Sequence, residues 1–200
     1  MSVIAFIHQK GGTGKSTLAI ACSMALAQAG HRVLLLDADY QGTASEWAIR
    51  FGQRFNVESR SQIQPVVHKE IGRFMDKFEY IVIDAPPSLS EMTESVLRAC
   101  DTAVIPMRPS FPDVWALPWL AAIITKLRNE GHTLSAKVIF NQYQGEDLAR
   151  LKEELEPWKI PVHPEQLPMD AAFSAVFEGK PLPGPLAEAV LSLLEKDSGD

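Results

Sequence analysis

Short apolar runs alternate with longer amphipathic stretches along this chain. Val3 to Ile7 is an apolar run that stops at a glycine-rich turn, the pattern of a buried strand in a parallel sheet. Ser16 to Ala29 carries Leu18, Ala19, Ala21, Cys22, Ala25 and Leu26 at helical spacing, and Gly30 is placed to cap that helix. Arg32 to Asp37 predicts a second strand, Tyr80 to Asp84 a third, Ala103 to Pro106 a fourth and Val138 to Asn141 a further one. Thr43 with Glu46, and Ser88 with Glu91, fit capping boxes. Val67, Ile71, Phe74 and Phe78 share one helical face, and helices are expected from about Gly145 to Glu156 and from Pro185 to Glu195. The proline-rich segments 106–118, 157–168 and 181–185 read as loops. Strands alternating with helices predict an α/β fold, a doubly wound, mostly parallel sheet with helices on both faces. One domain is expected over residues 1–200. Ligands of such sheets sit beyond the C-terminal strand ends, which singles out segments 8–17, 37–42, 84–88 and 141–143.

Composition narrows the function classes. The formal net charge of −6 argues against a uniformly basic nucleic-acid binder. It leaves room for a local strip, for which Arg98, Lys126, Arg128, Lys137, Arg150, Lys152 and Lys159 are the candidates. Cys22 and Cys100 lie in no metal-ligand spacing and read as buried free thiols of a reducing cytosol. No segment approaches the ~18 apolar residues that span a membrane, and no basic leader precedes the first strand. A cytoplasmic protein is expected, with no DNA-reading module ahead of that strand. Trp47, Trp115, Trp119 and Trp158 are expected in or half in the core. Trp115 and Trp119, four apart on one helix face, are the first candidates for exposure.

The run Gly11-Gly12-Thr13-Gly14-Lys15-Ser16-Thr17 joins a strand to a helix. Glycines let successive backbone N–H groups turn inward on an anion, and the helix N-terminus adds partial positive charge at the same place. Lys15 is then placed to neutralise the β- and γ-phosphates of ATP, Ser16 to ligate Mg²⁺ and Thr17 to reach the α-phosphate. Two acidic segments end strands. Asp37 and Asp39 lie in Asp-Ala-Asp-Tyr-Gln-Gly, where a carboxylate can orient an attacking water. Asp84 closes Tyr-Ile-Val-Ile-Asp-Ala-Pro-Pro, where a carboxylate at the tip of an apolar strand suits Mg²⁺ held through water.

The standard phosphate loop has glycine where this chain has Gln9, and Lys10 is added beside the glycines. Lys-Gly-Gly-x-Gly-Lys-Ser resembles the deviant Walker A motif of the ParA/MinD family of P-loop ATPases. The resemblance runs from Met1 to about Leu194 and is nearest to short ParA partition ATPases without an N-terminal DNA-binding domain. It implies that Lys10 crosses to the phosphates of a second subunit in an ATP-sandwich homodimer. It implies that Asp39 activates water with Asp37 in support, although Tyr40 replaces the family's usual proline. It further implies that Pro86, Pro87 and Ser88 form the segment that senses the γ-phosphate. Asn141 would contact adenine, and the turn containing Pro168 and Asp170 would pack on the base's other side. Lys10, Lys15 and Asp39 are thus the expected catalytic residues, and Ser16, Asp39 and Asp84 the expected metal residues. Non-specific DNA, a ParB-like adaptor and a nucleoid location follow from the same resemblance. The alternative is a MinD-like membrane-surface regulator. The tail from Leu186 to Asp200 is amphipathic but acidic, so no membrane partner is expected.

Overall fold

The computed structural model describes residues 1–88 and 90–195. The last five positions of the acidic tail, 196–200, lie outside the described residues. Six parallel strands form one sheet in the order β3-β2-β4-β1-β5-β6. They are β1 (Ser2–Phe6), β2 (Val33–Asp37), β3 (Val57–Ser61), β4 (Tyr80–Asp84), β5 (Thr102–Met107) and β6 (Ser135–Phe140).

Both sheet faces are covered, which explains why the strands read as continuous apolar runs. Successive residues point to opposite faces. Val3, Ala5 and Ile7 join one core with Leu34, Leu36, Ile81, Ile83, Ala103 and Ile105. Ile4 and Phe6 join the other with Leu35, Val82 and Val104. Helices 91–99, 117–129 and 149–155 supply the first core with Val96, Leu120, Ile124 and Leu151. Helix α1 (Lys15–Gln28) and the helix Gly184–Ser192 supply the second with Leu18, Cys22 and Val190.

Four sequence expectations are corrected. A polar strand, β3, pairs with β2 at the sheet edge, and its burial is confined mainly to Val57. An edge strand with one solvated side does not show as an apolar run. Segment 106–118 is not one loop: Phe111–Val114 forms a short helix, and Leu117–Asn129 a long one with Pro118 in its first turn. Proline is tolerated there because the missing N–H would have had no intrahelical partner. Trp115 closes the short helix and Trp119 lies in the long one, so the two are not on one continuous helix. Neither expected capping box forms. The helix Glu91–Ala99 starts at Ser90, which pairs reciprocally with Thr93 instead of Ser88 with Glu91. Helix α2 (Thr43–Trp47) starts at Gly42 with φ +70°, while Glu46 accepts from Arg50. The N–H of Ser45 donates instead to Asp37 Oδ2 at 2.7 Å.

Candidate functional site

The register brings the site together. β4 lies between β2 and β1, and pairs Asp84 with Asp37 on one side and with Phe6 on the other. The two carboxylates therefore stand level at neighbouring strand tips, beside the loop that leaves β1.

That loop owes its shape to glycine. Gly12 and Gly14 have φ of +77° and +97°, a region that costs most residues energy because of their Cβ. A Cβ on Gly14 would lie 2.2 Å from Asn141 Nδ2. Asn141 donates that amide to Thr13 O at 2.9 Å, and Gln142 donates its own to Gly12 O at 2.9 Å. The phosphate loop is thus held from outside by the segment after β6.

Two lysines leave the loop in different directions. Lys15 is buried at 6 % exposure, and its Nζ donates to Lys10 O at 3.0 Å. Burial lowers its pKa, while Asp84 and Asp39 act to raise it. Lys10 keeps its side chain 36 % exposed, with Nζ 3.9 Å from Asp113 Oδ1. Asp113 is fully buried and accepts from the backbone N, Nε and Nη2 of Arg108 at 3.0, 3.0 and 2.9 Å. Burial acts to raise the Asp113 carboxyl, but these hydrogen bonds outweigh it and hold it below the usual range. His8 lies below the loop, and burial pushes its imidazole down to about 4. The ring is therefore neutral near pH 7, which suits its Nδ1 accepting from Lys10 N at 3.1 Å. Gln9 donates its amide to Ala116 O. A glycine in its place would lack that tie to the segment after β5.

The three acidic residues are in different circumstances. Asp37 is spent on the backbone: Oδ1 accepts from Asp39 N at 3.1 Å and Oδ2 from Ser45 N. Asp39 Oδ1 accepts from Gln41 N at 3.0 Å, which turns the loop so that Tyr40 projects at 80 % exposure. Asp84 is fully buried, and neither of its oxygens has a hydrogen-bond partner. Burial raises its carboxyl to about 7, with the nearby Ser16 hydroxyl pulling the other way and Asp37 adding to the rise. Ser16 approaches without completing a hydrogen bond, and Lys15 offsets part of the charge from a distance, so both oxygens remain without a direct partner. An orphaned buried carboxylate is rare and calls for a cationic partner.

The comparisons with known proteins agree with this geometry. Residues 4–182 match the family described as the CobQ/CobB/MinD/ParA nucleotide binding domain. The chain belongs to that family. Among relatives of the CobQ/CobB/MinD/ParA domain, it is 37 % identical over 116 residues to the maintenance of carboxysome distribution protein A of Gloeobacter kilaueensis, covering 58 % of this chain and 53 % of that protein. It is 29 % identical over 170 residues to the chromosome partitioning protein ParA of Caulobacter vibrioides, covering 64 % of each. The matched stretches thus span between half and two thirds of these relatives' lengths. Apo McdA from Cyanothece shares the fold, with a TM-score of 0.80 at 19 % identity over 98 % of this chain and all of that one. Among the described residues no helix is long and apolar enough to cross a membrane.

The other expected residues fall as follows. Gly11 and Gly12 are exposed, Thr13 is buried, and Ser16 and Thr17 are half-buried at the start of α1. The turn 167–170 is laced to the segment after β6, with Tyr143 N donating to Leu167 O and Met169 N to Tyr143 O, each at 3.0 Å. Pro168 forms a bridge with Tyr143, and Asp170 caps a short helix through Ala172 N. The basic strip loses Lys137 to the interior, while three of its other members are tied to acceptors at the surface. Lys137 is buried and donates to Glu195 O, Arg98 and Lys126 bind Glu94, and Arg128 donates to Leu134 O. Arg150, Lys152 and Lys159 stay exposed. Arg108 and Asp113 were missed by sequence reasoning, because Asp113 reaches the loop only through its long-range approach to Lys10 and Arg108 only through Asp113. His8 and Gln142 lie inside the expected segments 8–17 and 141–143, but sequence reasoning gave them no role.

Proposed function

We propose that this chain is a ParA-type ATPase that positions a DNA or protein cargo. In this reading it binds ATP with Mg²⁺ at residues 10–17, closes into an ATP-sandwich homodimer, and holds DNA non-specifically until a ParB-like adaptor triggers hydrolysis. The observation that carries it is the divergence of two lysines from one phosphate loop, Lys15 buried where Asp84 and Asp39 favour its charged form and Lys10 partly exposed at the protein surface. In this reading the outward lysine serves the phosphates of a second subunit, and without that subunit it rests 3.9 Å from Asp113. The two relatives, named for carboxysome distribution and chromosome partitioning, support a cargo-positioning role.

The residues divide the chemistry between them. The loop amides and Lys15 hold the triphosphate and offset its charge. Asp84, with its unpartnered oxygens, and Ser16 fit a hydrated divalent cation. Mg²⁺, when bound, neutralises charge on the β- and γ-phosphates. Asp39 orients the attacking water. Asp37 acts through it, because its Oδ1 fixes the backbone of Asp39 and its Oδ2 the start of α2. Lys10 delivers its charge to the second subunit's phosphates after leaving Asp113. Asn141 and the turn with Pro168 and Asp170 flank the base, and Asn141 also steadies Thr13.

The test is duplex-DNA binding with ATP, with ADP and without nucleotide, at fixed salt because phosphate contacts are salt-sensitive. Binding that needs ATP, disappears in Lys10→Ala and Lys15→Ala, and persists longer in Asp39→Ala is the expected result. Tight ATP binding with no DNA binding in any state would remove DNA from the mechanism. Vesicle binding with ATP would then favour a membrane-surface regulator.

A further inference from the structure

We propose that Trp115 and Trp119 anchor the contact between this chain and a second copy of itself beside the nucleotide site. The proposal rests on the ATP-sandwich reading above and adds to it the surface that makes the pairing.

The two indoles are 63 % and 70 % exposed, whereas Trp47 is 2 % exposed within a core. Behind them the patch is built. Phe111 packs on Trp115 with ring centroids 5.8 Å apart, and the Arg150 guanidinium lies 5.6 Å over the Phe111 ring. The phosphate loop fixes where the patch sits. Gln9 donates to Ala116 O, next to Trp115, and Lys10 Nζ is 3.9 Å from Asp113, two residues before it. The segment that carries the indoles therefore borders the loop of the outward lysine. Across the sheet, Tyr40 projects from the loop after β2 at 80 % exposure. Exposed aromatic side chains flank the phosphate loop on both sides, and a two-fold axis at the loop would cover them together.

Area argues for a second copy that depends on nucleotide. At those exposures two indoles offer about 300 Å² per copy. A stable interface needs roughly 800 Å² per partner. The patch is too small to hold a dimer alone but large enough to be its centre, because a few buried aromatic anchors carry most binding energy. Phosphates bridged by Lys10 would complete it. Charge does not oppose the approach, because Asp113 balances Arg108 and faces Lys10.

The test is sedimentation of the full chain with Mg²⁺ and a non-hydrolysable ATP analogue, comparing wild type with Trp115→Ala/Trp119→Ala and with Trp119→Phe. At concentrations where both are monomeric, the double variant should bind the analogue as tightly as wild type and unfold cooperatively within a few degrees of it, yet dimerise at least ~30-fold more weakly, with Trp119→Phe in between. Equal dimerisation by wild type and the double variant would overturn the proposal while leaving the ATP-sandwich reading intact. A wild type that binds the analogue and stays monomeric would overturn both. Acrylamide quenching gives an independent readout, since Trp115 and Trp119 are the exposed tryptophans. Quenching of wild type should fall on dimerisation, and indoles that stay open to quencher in the dimer would assign the patch to another partner and overturn the proposal.

Discussion

Replacing Asp84 by Asn should stabilise the nucleotide-free protein while removing its response to Mg²⁺. The carboxyl is fully buried and is raised from an ordinary 3.8 to about 7. At 1.36 kcal/mol per pKa unit, that shift caps the cost to folding at ~4 kcal/mol above pH 7. Two effects reduce the gain on substitution. Relaxation and water penetration lower the real cost of a buried charge, and Lys15 loses one of the two carboxylates that favour its protonated form. A gain of about 1–3 kcal/mol remains, worth roughly 2–4 °C in Tm per kcal/mol for a chain of this size. The sign follows from proton binding. Between pH 4 and 7 the folded state keeps a proton on Asp84 that the unfolded state has released, so wild-type stability falls as pH rises through this window. Urea unfolding of both proteins from pH 4 to 8.5 should give curves that meet near pH 4, separate up to pH 7 and run parallel above it. A variant less stable than wild type at pH 8, or a difference independent of pH, would refute the reasoning. Nucleotide titrations should show Mg²⁺ improving ATP affinity in wild type and hardly at all in the variant.

Gly14→Ala puts a Cβ 2.2 Å from Asn141 Nδ2 at φ +97°, so it should cost about 1–3 kcal/mol and weaken ATP binding at least ~10-fold. Unchanged thermal unfolding and unchanged nucleotide titration would sink that view. Asp37→Ala strips the acceptor from two backbone N–H groups and should destabilise by about 1–2 kcal/mol. Hydrolysis should slow with ATP affinity nearly kept, and steady-state kinetics beside direct titration separates the two. Burial pushes the Cys22 thiol up to about 12 and raises Cys100 as well, so neither should react with a thiol reagent at pH 8 until the protein unfolds. Rapid stoichiometric labelling of the native protein would contradict this.

Much of the site is local in the chain. Gly11 to Thr17 are consecutive, and a strand, a glycine turn and a helix start suffice to aim their amides inward. Asp84 and Asp37 end apolar runs, so strand alternation alone placed them at sheet tips. What their order did not reveal is which tip neighbours which. That depends on β4 inserting between β2 and β1, and this pairing distinguishes the spent carboxylate of Asp37 from the orphaned one of Asp84.

The remaining features are long-range. Asn141 meets Thr13 across 128 positions and Gln9 meets Ala116 across 107. No periodicity encodes such a contact, because periodicity reports which face a residue takes and not which element covers it. The β3 strand escaped for a related reason, since an edge strand with solvated side chains has little apolar signal to show. Exposure of Trp115 and Trp119 is likewise settled by packing. Trp47, equally aromatic in the chain, is buried because α1, β3 and the turn at Val176 close around it, and nothing among the described residues closes around the other two. Local order could set the chemistry of the phosphate loop because its groups act over a few residues. Burial, and with it the charge state of Asp84, the neutrality of His8 and the two exposed indoles, belongs to the assembled chain, because solvent is excluded only by elements distant in sequence.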